Sequence, residues 1–236
     1  MQTRGKKAIV LAAGLGTRMR PMTDDKPKAL VRWNGVPMLE HIIAKLKTQG
    51  FNEIVINVHH FAQMIIDFVK EKDHFGIRIE FSHERDKPLD TGGGIGHASW
   101  FFGDEPFLVH NVDIMSNIDL VELYNAHLSS NAIATLAVKD RVTSRSLLMN
   151  RDGLLKGWRD NRSGETVRVE DAEENLTPIA FSCVHVMDPA IFKLFPSAKR
   201  FSITPFYLEL ARTRPVNLYR HDQDEWIDMG RLDSYT

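Results

Sequence analysis

The chain has 236 residues, 43% of them apolar and 26% charged, and a formal net charge of −1. That length allows one large domain or two small ones with a substantial core, and the charge sets no global field that would draw the chain to nucleic acid or a membrane surface. A lone cysteine, Cys183, excludes an internal disulfide, and no apolar run approaches the roughly 20 residues that span a bilayer, so the expectation is a cytoplasmic protein without nucleic-acid or membrane partners.

The first apolar run, residues 8–11, predicts a buried strand. Gly14 and Gly16 follow it directly, and Arg18, Arg20, Lys26 and Lys28 fall within the same twenty residues, 11–30, with Pro21 and Pro27 stiffening the path. Glycine admits positive φ and a close approach of backbone to ligand, and such a loop can aim N–H groups at phosphate oxygens. Four cations beside it make a candidate triphosphate cradle, although a GxG by itself reads equally well as an ordinary turn. Met19 stands where a dinucleotide fingerprint needs a third glycine, and the P-loop pattern GxxxxGK[ST] is absent.

Residues 11–30, LAAGLGTRMRPMTDDKPKAL, continued by Asn34-Gly35 and Val36-Pro37-Met38-Leu39-Glu40, resemble the signature of the sugar-1-phosphate nucleotidylyltransferases, LAAGxGTRxxPLT…PKxLxxxxGxPxLE. The resemblance implies a Rossmann-like α/β fold, with a mixed, mainly parallel sheet flanked by helices. It implies Mg²⁺ as cofactor, and a nucleoside triphosphate and a sugar 1-phosphate as partners. It places Leu11, Ala12, Ala13, Gly14, Gly16, Thr17 and Arg18 at the nucleotide. It also makes Arg18 and Lys28 catalytic, Arg18 on the leaving pyrophosphate and Lys28 on the α-phosphate or the incoming phosphate.

Further along, 29–33 reads as a short strand and Asn34-Gly35 as a tight turn. Met38, Leu39, Ile42, Ile43 and Leu46 keep helical spacing up to Gly50. A strand at 54–58, a helix at 61–69 and a strand at 77–81 complete a β-α-β-α-β rhythm that argues for a parallel sheet with helices on both faces. His59 and His60 are adjacent strand-end residues that point apart, and they read as loop residues rather than metal ligands. The stretch 82–96, SHERDKPLDTGGGIG, predicts a loop in which a flat base or ribose lies against bare backbone, followed by a helix at 95–102. In the family this stretch contacts the base, and its TGGGI form resembles the N-acetylmuramate-1-phosphate uridylyltransferase branch, which implies cell-wall sugar metabolism. Glu84, Thr91, Gly92 and Gly93 are the base-side candidates.

The strand at 107–110 ends in Asn111-Val112-Asp113. The family has NGD here with the aspartate on the metal, so the resemblance makes Asn111 a nucleotide contact and Asp113 a metal ligand, with valine replacing a glycine. Asp119 and Glu122 read as a capping pair on a helix at 120–128. Beyond residue 130 the pattern turns β-rich, with strands at 133–138, 146–149, 154–158, 179–187 and 216–219. A polar stretch without periodicity lies at 161–175, Asp188-Pro189 opens a short helix, and a helix spans 204–213. Trp226, Asp228 and Gly230 resemble the family's WxDxGT element, whose aspartate is the second metal ligand. Arg231 replaces the threonine, and Cys183 replaces a glycine of the sugar-side turn. The organisation expected is one domain over 1–236, with a nucleotide half at 1–130 and an acceptor half at 131–236.

The expected reaction is attack of a sugar-1-phosphate oxygen on the α-phosphorus of a triphosphate, UTP ahead of GTP. The nucleophile is already anionic, so catalysis rests on alignment and charge neutralisation. Two alternatives stay open: cytidylyl transfer to phosphocholine or a similar alcohol phosphate, with Trp158 and Trp226 as possible faces for a quaternary amine, and a non-catalytic sensor of nucleotide sugars.

Overall fold

The computed structural model describes residues 5–169 and 175–231. β1 (Lys6–Leu11) is followed by two 3-10 turns, Thr17–Met19 and Lys28–Leu30. Next come a small hairpin of β2 (Arg32–Trp33) and β3 (Val36–Pro37), then α1 (Met38–Thr48), β4 (Phe51–Val58), α2 (Ala62–Glu71), β5 (Arg78–His83), α3 (Asp90–His97), β6 (Phe107–Asn111), β7 (Ile114–Ser116) and α4 (Leu120–Leu128). The remainder supplies β8 (Ala134–Lys139), β9 (Arg145–Met149), β10 (Leu155–Asp160), β11 (Thr166–Arg168), β12 (Thr177–Met187), α5 (Ile203–Leu210), β13 (Val216–Arg220) and β14 (Trp226–Asp228).

One mixed sheet runs β11-β10-β9-β12-β6-β1-β4-β5, with β8 pairing both β12 and β13. β6, β1, β4 and β5 are mutually parallel. Ala8, Ile9 and Val10 of β1 are fully buried, because a central parallel strand is covered on both faces. Alternate residues enter different cores: Ala8 and Val10 pack with α1, α2 and α4, whereas Ile9 and Leu11 pack with α3 and α5. No helix among the described residues is long and apolar enough to cross a membrane.

Four local expectations change. The helix expected at 95–102 instead begins at Asp90 and contains all three glycines. A Cβ on Gly92 would meet the Phe201 ring at 2.2 Å, and one on Gly93 would meet the Lys199 carbonyl at 2.2 Å, so these residues are glycine to admit the chain leading into α5. The strand expected at 29–33 is a 3-10 turn at Lys28–Leu30 and a two-residue strand. Within the polar stretch 161–175, Thr166–Arg168 forms an exposed edge strand on β10, while residues 170–174 lie outside the described residues. The cap on α4 is one-sided: Asp119 accepts from the N–H groups of Val121 and Glu122, but Glu122 accepts from the Tyr219 hydroxyl instead of closing the box.

Candidate active site

β1 and β6 are adjacent and parallel, with Leu11 opposite Asn111, so the loops leaving their C-terminal ends meet at one edge of the sheet, where open α/β sheets place ligands. Lys28 arrives there along the glycine loop. A Cβ on Gly14 would lie 3.1 Å from Lys28 Cε, and one on Gly16 would lie 3.3 Å from Lys28 Cβ. Gly16 also takes φ +67° and accepts from the Thr23 hydroxyl at 2.9 Å. The glycines thus seat the lysine stem as well as the turn.

Lys28 Nζ donates to Asp113 Oδ2 at 2.7 Å, with side-chain exposures of 14% and 7%. Burial alone would push the Asp113 carboxyl up, but Lys28 and Arg18 outweigh it and hold the group below its usual range. Its Oδ1 is buried without a partner. Val112, in place of the family glycine, is fully buried in the core and is not among the positive-φ residues, so the valine imposes no left-handed strain.

Asp228 comes from far along the chain on a ribbon of its own. β14 pairs antiparallel with β7, placing Asp228 opposite Ile114, the residue after Asp113, and the Met229 N–H donates to the Asp113 carbonyl at 2.8 Å. A Cβ on Gly230 would lie 2.7 Å from Asp113 Oδ2, 2.9 Å from Asp228 Oδ1 and 3.5 Å from Arg18 Nη2. The two carboxylates and Arg18 therefore converge on one point, and only glycine fits beside them. Among the described residues no cluster of three or more His, Cys, Asp or Glu could hold a metal. Two carboxylates with an orphaned oxygen suit magnesium, which prefers hard oxygen ligands and completes its shell with phosphates and water. Of the other expected cradle cations, Arg20 pairs with Asp24 at 3.4 Å and Lys26 with Asp25 at 3.4 Å, all exposed.

Lys28 and Asp113 stand between two clefts that share Asn111 as a wall. The smaller, about 140 Å³, is lined by Leu11, Ala13, Gly14, Glu84, Thr91 and Asn57, among others. Ala12 is buried with its N–H on the Asn57 carbonyl at 3.0 Å, and Gly16 and the exposed Thr17 shape the loop rather than line the cleft. Glu84 is buried, accepting from Asn57 Nδ2 at 2.8 Å and from the Leu89 N–H at 2.7 Å. A Cβ on Gly94 would meet Glu84 Oε1 at 2.8 Å, so the third glycine makes room for this carboxylate. Gly92 and Gly93 do not border the cleft; both donate their N–H to the Phe201 carbonyl, at 3.0 and 3.1 Å. Thr91 Oγ1 accepts from the Ile203 N–H at 3.0 Å, tying the cleft to α5. Asn57 escaped sequence reasoning, and its signal was an amide inside the apolar run of β4.

The larger cleft, about 810 Å³, is lined among the described residues by seven arginines and three carboxylates. Trp158 and Trp226 both border it. The Trp226 face is covered by the Arg141 guanidinium, 3.7 Å from the ring centroid, and Arg141 Nη2 donates to the Phe181 carbonyl at 2.9 Å. Cys183 takes φ +57° where β12 shifts register against β8, the kind of position a glycine fills without cost. Burial, then the nearby Asp113 and Asp228 carboxylates, push its thiol up to about 12.

Residues 7–146 match the family model described as nucleotidyl transferase. The chain belongs to the sugar-1-phosphate nucleotidylyltransferases. It is 41% identical over 231 residues to the N-acetylmuramate α-1-phosphate uridylyltransferase of Neisseria meningitidis serogroup B, covering 96% of this chain and 94% of that one. It is 34% identical over 237 residues to the enzyme of the same name from Caulobacter vibrioides, covering 95% and 94%. The fold matches that of HddC from Yersinia pseudotuberculosis complexed with GMP-PN at a TM-score of 0.76 and 24% identity, over 98% of this chain and 96% of that one. The enzyme is a nucleotidyltransferase acting on a sugar 1-phosphate.

Proposed function

We propose that the enzyme transfers the uridylyl group of UTP to a sugar 1-phosphate in a magnesium-dependent reaction that releases pyrophosphate. The convergence of Asp113, Asp228 and Arg18 on Gly230, with Lys28 bonded to Asp113, carries this reading. Preference for UTP is supported by two relatives, named as uridylyltransferases, that align over more than nine-tenths of both chains. N-acetylmuramate 1-phosphate, which their names give, is the first acceptor to test. The continuous sheet supports taking 1–130 and 131–236 as two halves of one domain.

Asp113 and Asp228 would hold the magnesium, whose contribution when bound is to neutralise charge on phosphate oxygens. The smaller cleft would take the nucleotide, with Leu11, Ala13, Gly14 and Asn111 as walls. Glu84 and Asn57 would brace that wall, since both Glu84 oxygens already accept hydrogen bonds. Lys28, between the clefts, would neutralise the phosphate where attack occurs, and Arg18 the departing pyrophosphate. The acceptor phosphate is anionic at neutral pH, so alignment and fixed cations suffice without a general base. Against transfer to phosphocholine stands the Trp226 ring, which already carries the Arg141 guanidinium where a quaternary amine would lie.

The test is pyrophosphate release with Mg²⁺ and UTP, GTP, CTP or dTTP, each against N-acetylmuramate, N-acetylglucosamine and glucose 1-phosphates and phosphocholine. UTP with a sugar phosphate is the expected pair. Turnover confined to CTP and phosphocholine overturns the reading.

A further inference from the structure

We propose that Arg231, which stands where the family has threonine, binds the 1-phosphate of the acceptor. This inference rests on transfer to a sugar 1-phosphate. The turn after β14 delivers the side chain. Asp228 Oδ1 accepts from the Gly230 N–H at 2.9 Å, and Gly230 packs between the two carboxylates. The next residue then sets its guanidinium Nε 3.7 Å from Asp228 Oδ2, with the side chain 58% exposed. That separation is longer than a hydrogen bond, so the ion pair orients the guanidinium without occupying its donors. Two cations thus flank the pair of carboxylates, Lys28 on Asp113 and Arg231 on Asp228. They face different clefts: Lys28 borders the smaller and Arg231 the larger.

The smaller cleft is the nucleotide's, so a phosphate that meets Arg231 arrives from the larger one. Attack brings that anion against a triphosphate, and their repulsion has to be offset on the acceptor side. Two carboxylates already balance the charge of a bound magnesium, and Lys28 and Arg18 serve the triphosphate. Arg231 adds a cation on the side where the acceptor enters, and a guanidinium takes a phosphate with two parallel hydrogen bonds. Arg141 borders the same cleft, but its guanidinium lies on the Trp226 ring and its Nη2 donates to the Phe181 carbonyl. Arg231 is therefore the arginine beside Asp228 that is placed to receive the acceptor.

The test compares wild type with Arg231→Thr, Arg231→Gln and Arg231→Lys. It measures kcat and KM with UTP and Mg²⁺ for N-acetylmuramate, N-acetylglucosamine and glucose 1-phosphates, and inhibition by pyrophosphate. Calorimetry follows binding of the same sugar phosphates in the presence of Mg²⁺ and the α,β-imido analogue of UTP, which cannot release pyrophosphate. Arg231→Thr and Arg231→Gln should raise the KM of every acceptor used by wild type by one common factor of about 10- to 100-fold, the worth of a charge-assisted hydrogen bond. Calorimetric affinity should fall to match, while the KM for UTP, inhibition by pyrophosphate and thermal unfolding stay put. Arg231→Lys keeps the charge and should recover most of the loss. Unchanged acceptor binding in Arg231→Thr and Arg231→Gln overturns the inference. A loss confined to one sugar overturns it too, because the residue then reads the sugar, and so does weakened pyrophosphate inhibition with acceptor KM unchanged, because the residue then holds the leaving group. Wild type that releases pyrophosphate with no sugar phosphate overturns the transfer reading and this inference with it, whereas the other failures leave that reading standing.

Discussion

The parallel region built on β6, β1, β4 and β5 and the antiparallel region built on β8 to β12 place polar residues in different ways. In the parallel region the strands end together, so Gly14, Lys28, Asn111 and Asp113 are loop or strand-end residues gathered at one edge. In the antiparallel region Arg145 and Trp158 stand on strand faces that form a wall. Their charge balance differs as well. Lys28 is matched by Asp113 at 2.7 Å and Arg231 lies 3.7 Å from Asp228, whereas Asp160 faces two arginines. The first arrangement suits chemistry in which charge moves, and the second ties neighbouring strand and turn together at the cleft wall.

The sharpest way to break this comparison is to remove its catalytic side. Lys28→Ala and Asp113→Asn should each lower kcat by ~10²–10³ with near-UV circular dichroism unchanged. Activity within tenfold of wild type would remove these residues from the reaction. In Lys28→Ala the Asp113 carboxyl loses the partner that holds it down, so its pKa rises and residual activity should climb with pH across the acidic range, a slope absent from wild type.

Gly230→Ala keeps every charge but inserts a methyl within 3 Å of both carboxylates. A displacement of this size costs about 10² in rate, so turnover should fall by that order while triphosphate binding, measured by calorimetry, survives. An unaffected rate would mean the carboxylates need not converge.

The two departures from family glycines should behave oppositely in urea unfolding. Val112→Gly empties a fully buried position and should cost about 1.5–3 kcal/mol. Cys183→Gly relieves a side chain held at φ +57°, where strain is about 1 kcal/mol or more, and should be neutral or stabilising. Equal losses in both would refute the backbone assignment.

A dependence on pH is spread over the β6–β12 pair. Burial lowers His110 to about 4 and His185 to about 3, so both stay neutral in the folded protein while the unfolded chain binds protons near pH 6.5. The unfolded state therefore holds more protons between these values. Stability should fall as pH drops from 6.5 towards 4, by about 1.4 kcal/mol per pH unit for each histidine. His185→Gln should flatten the slope in urea titrations at pH 7 and pH 5.

The nucleotide side was legible because its residues are close in sequence and tied to the ends of apolar strands: Gly14, Gly16, Arg18 and Lys28 fall within fifteen positions. Gly92 and Gly93 carry a second constraint that their sequence did not reveal, because glycine marks any close approach, and here Phe201 and Lys199 press against them. Arg20 and Lys26 likewise have local partners, Asp24 and Asp25, that the cluster of cations did not announce.

The sequence by itself determined the family, the parallel core and the four charged residues of the centre, because apolar periodicity and a dense local motif are properties of short stretches. Only the tertiary structure decided that Asp113 and Asp228 meet across Gly230, that Asn57 and Glu84 brace the smaller cleft, and that Arg141 covers Trp226. Each of these contacts joins residues at least 27 positions apart, and such pairings depend on strand order and register, which no local pattern encodes.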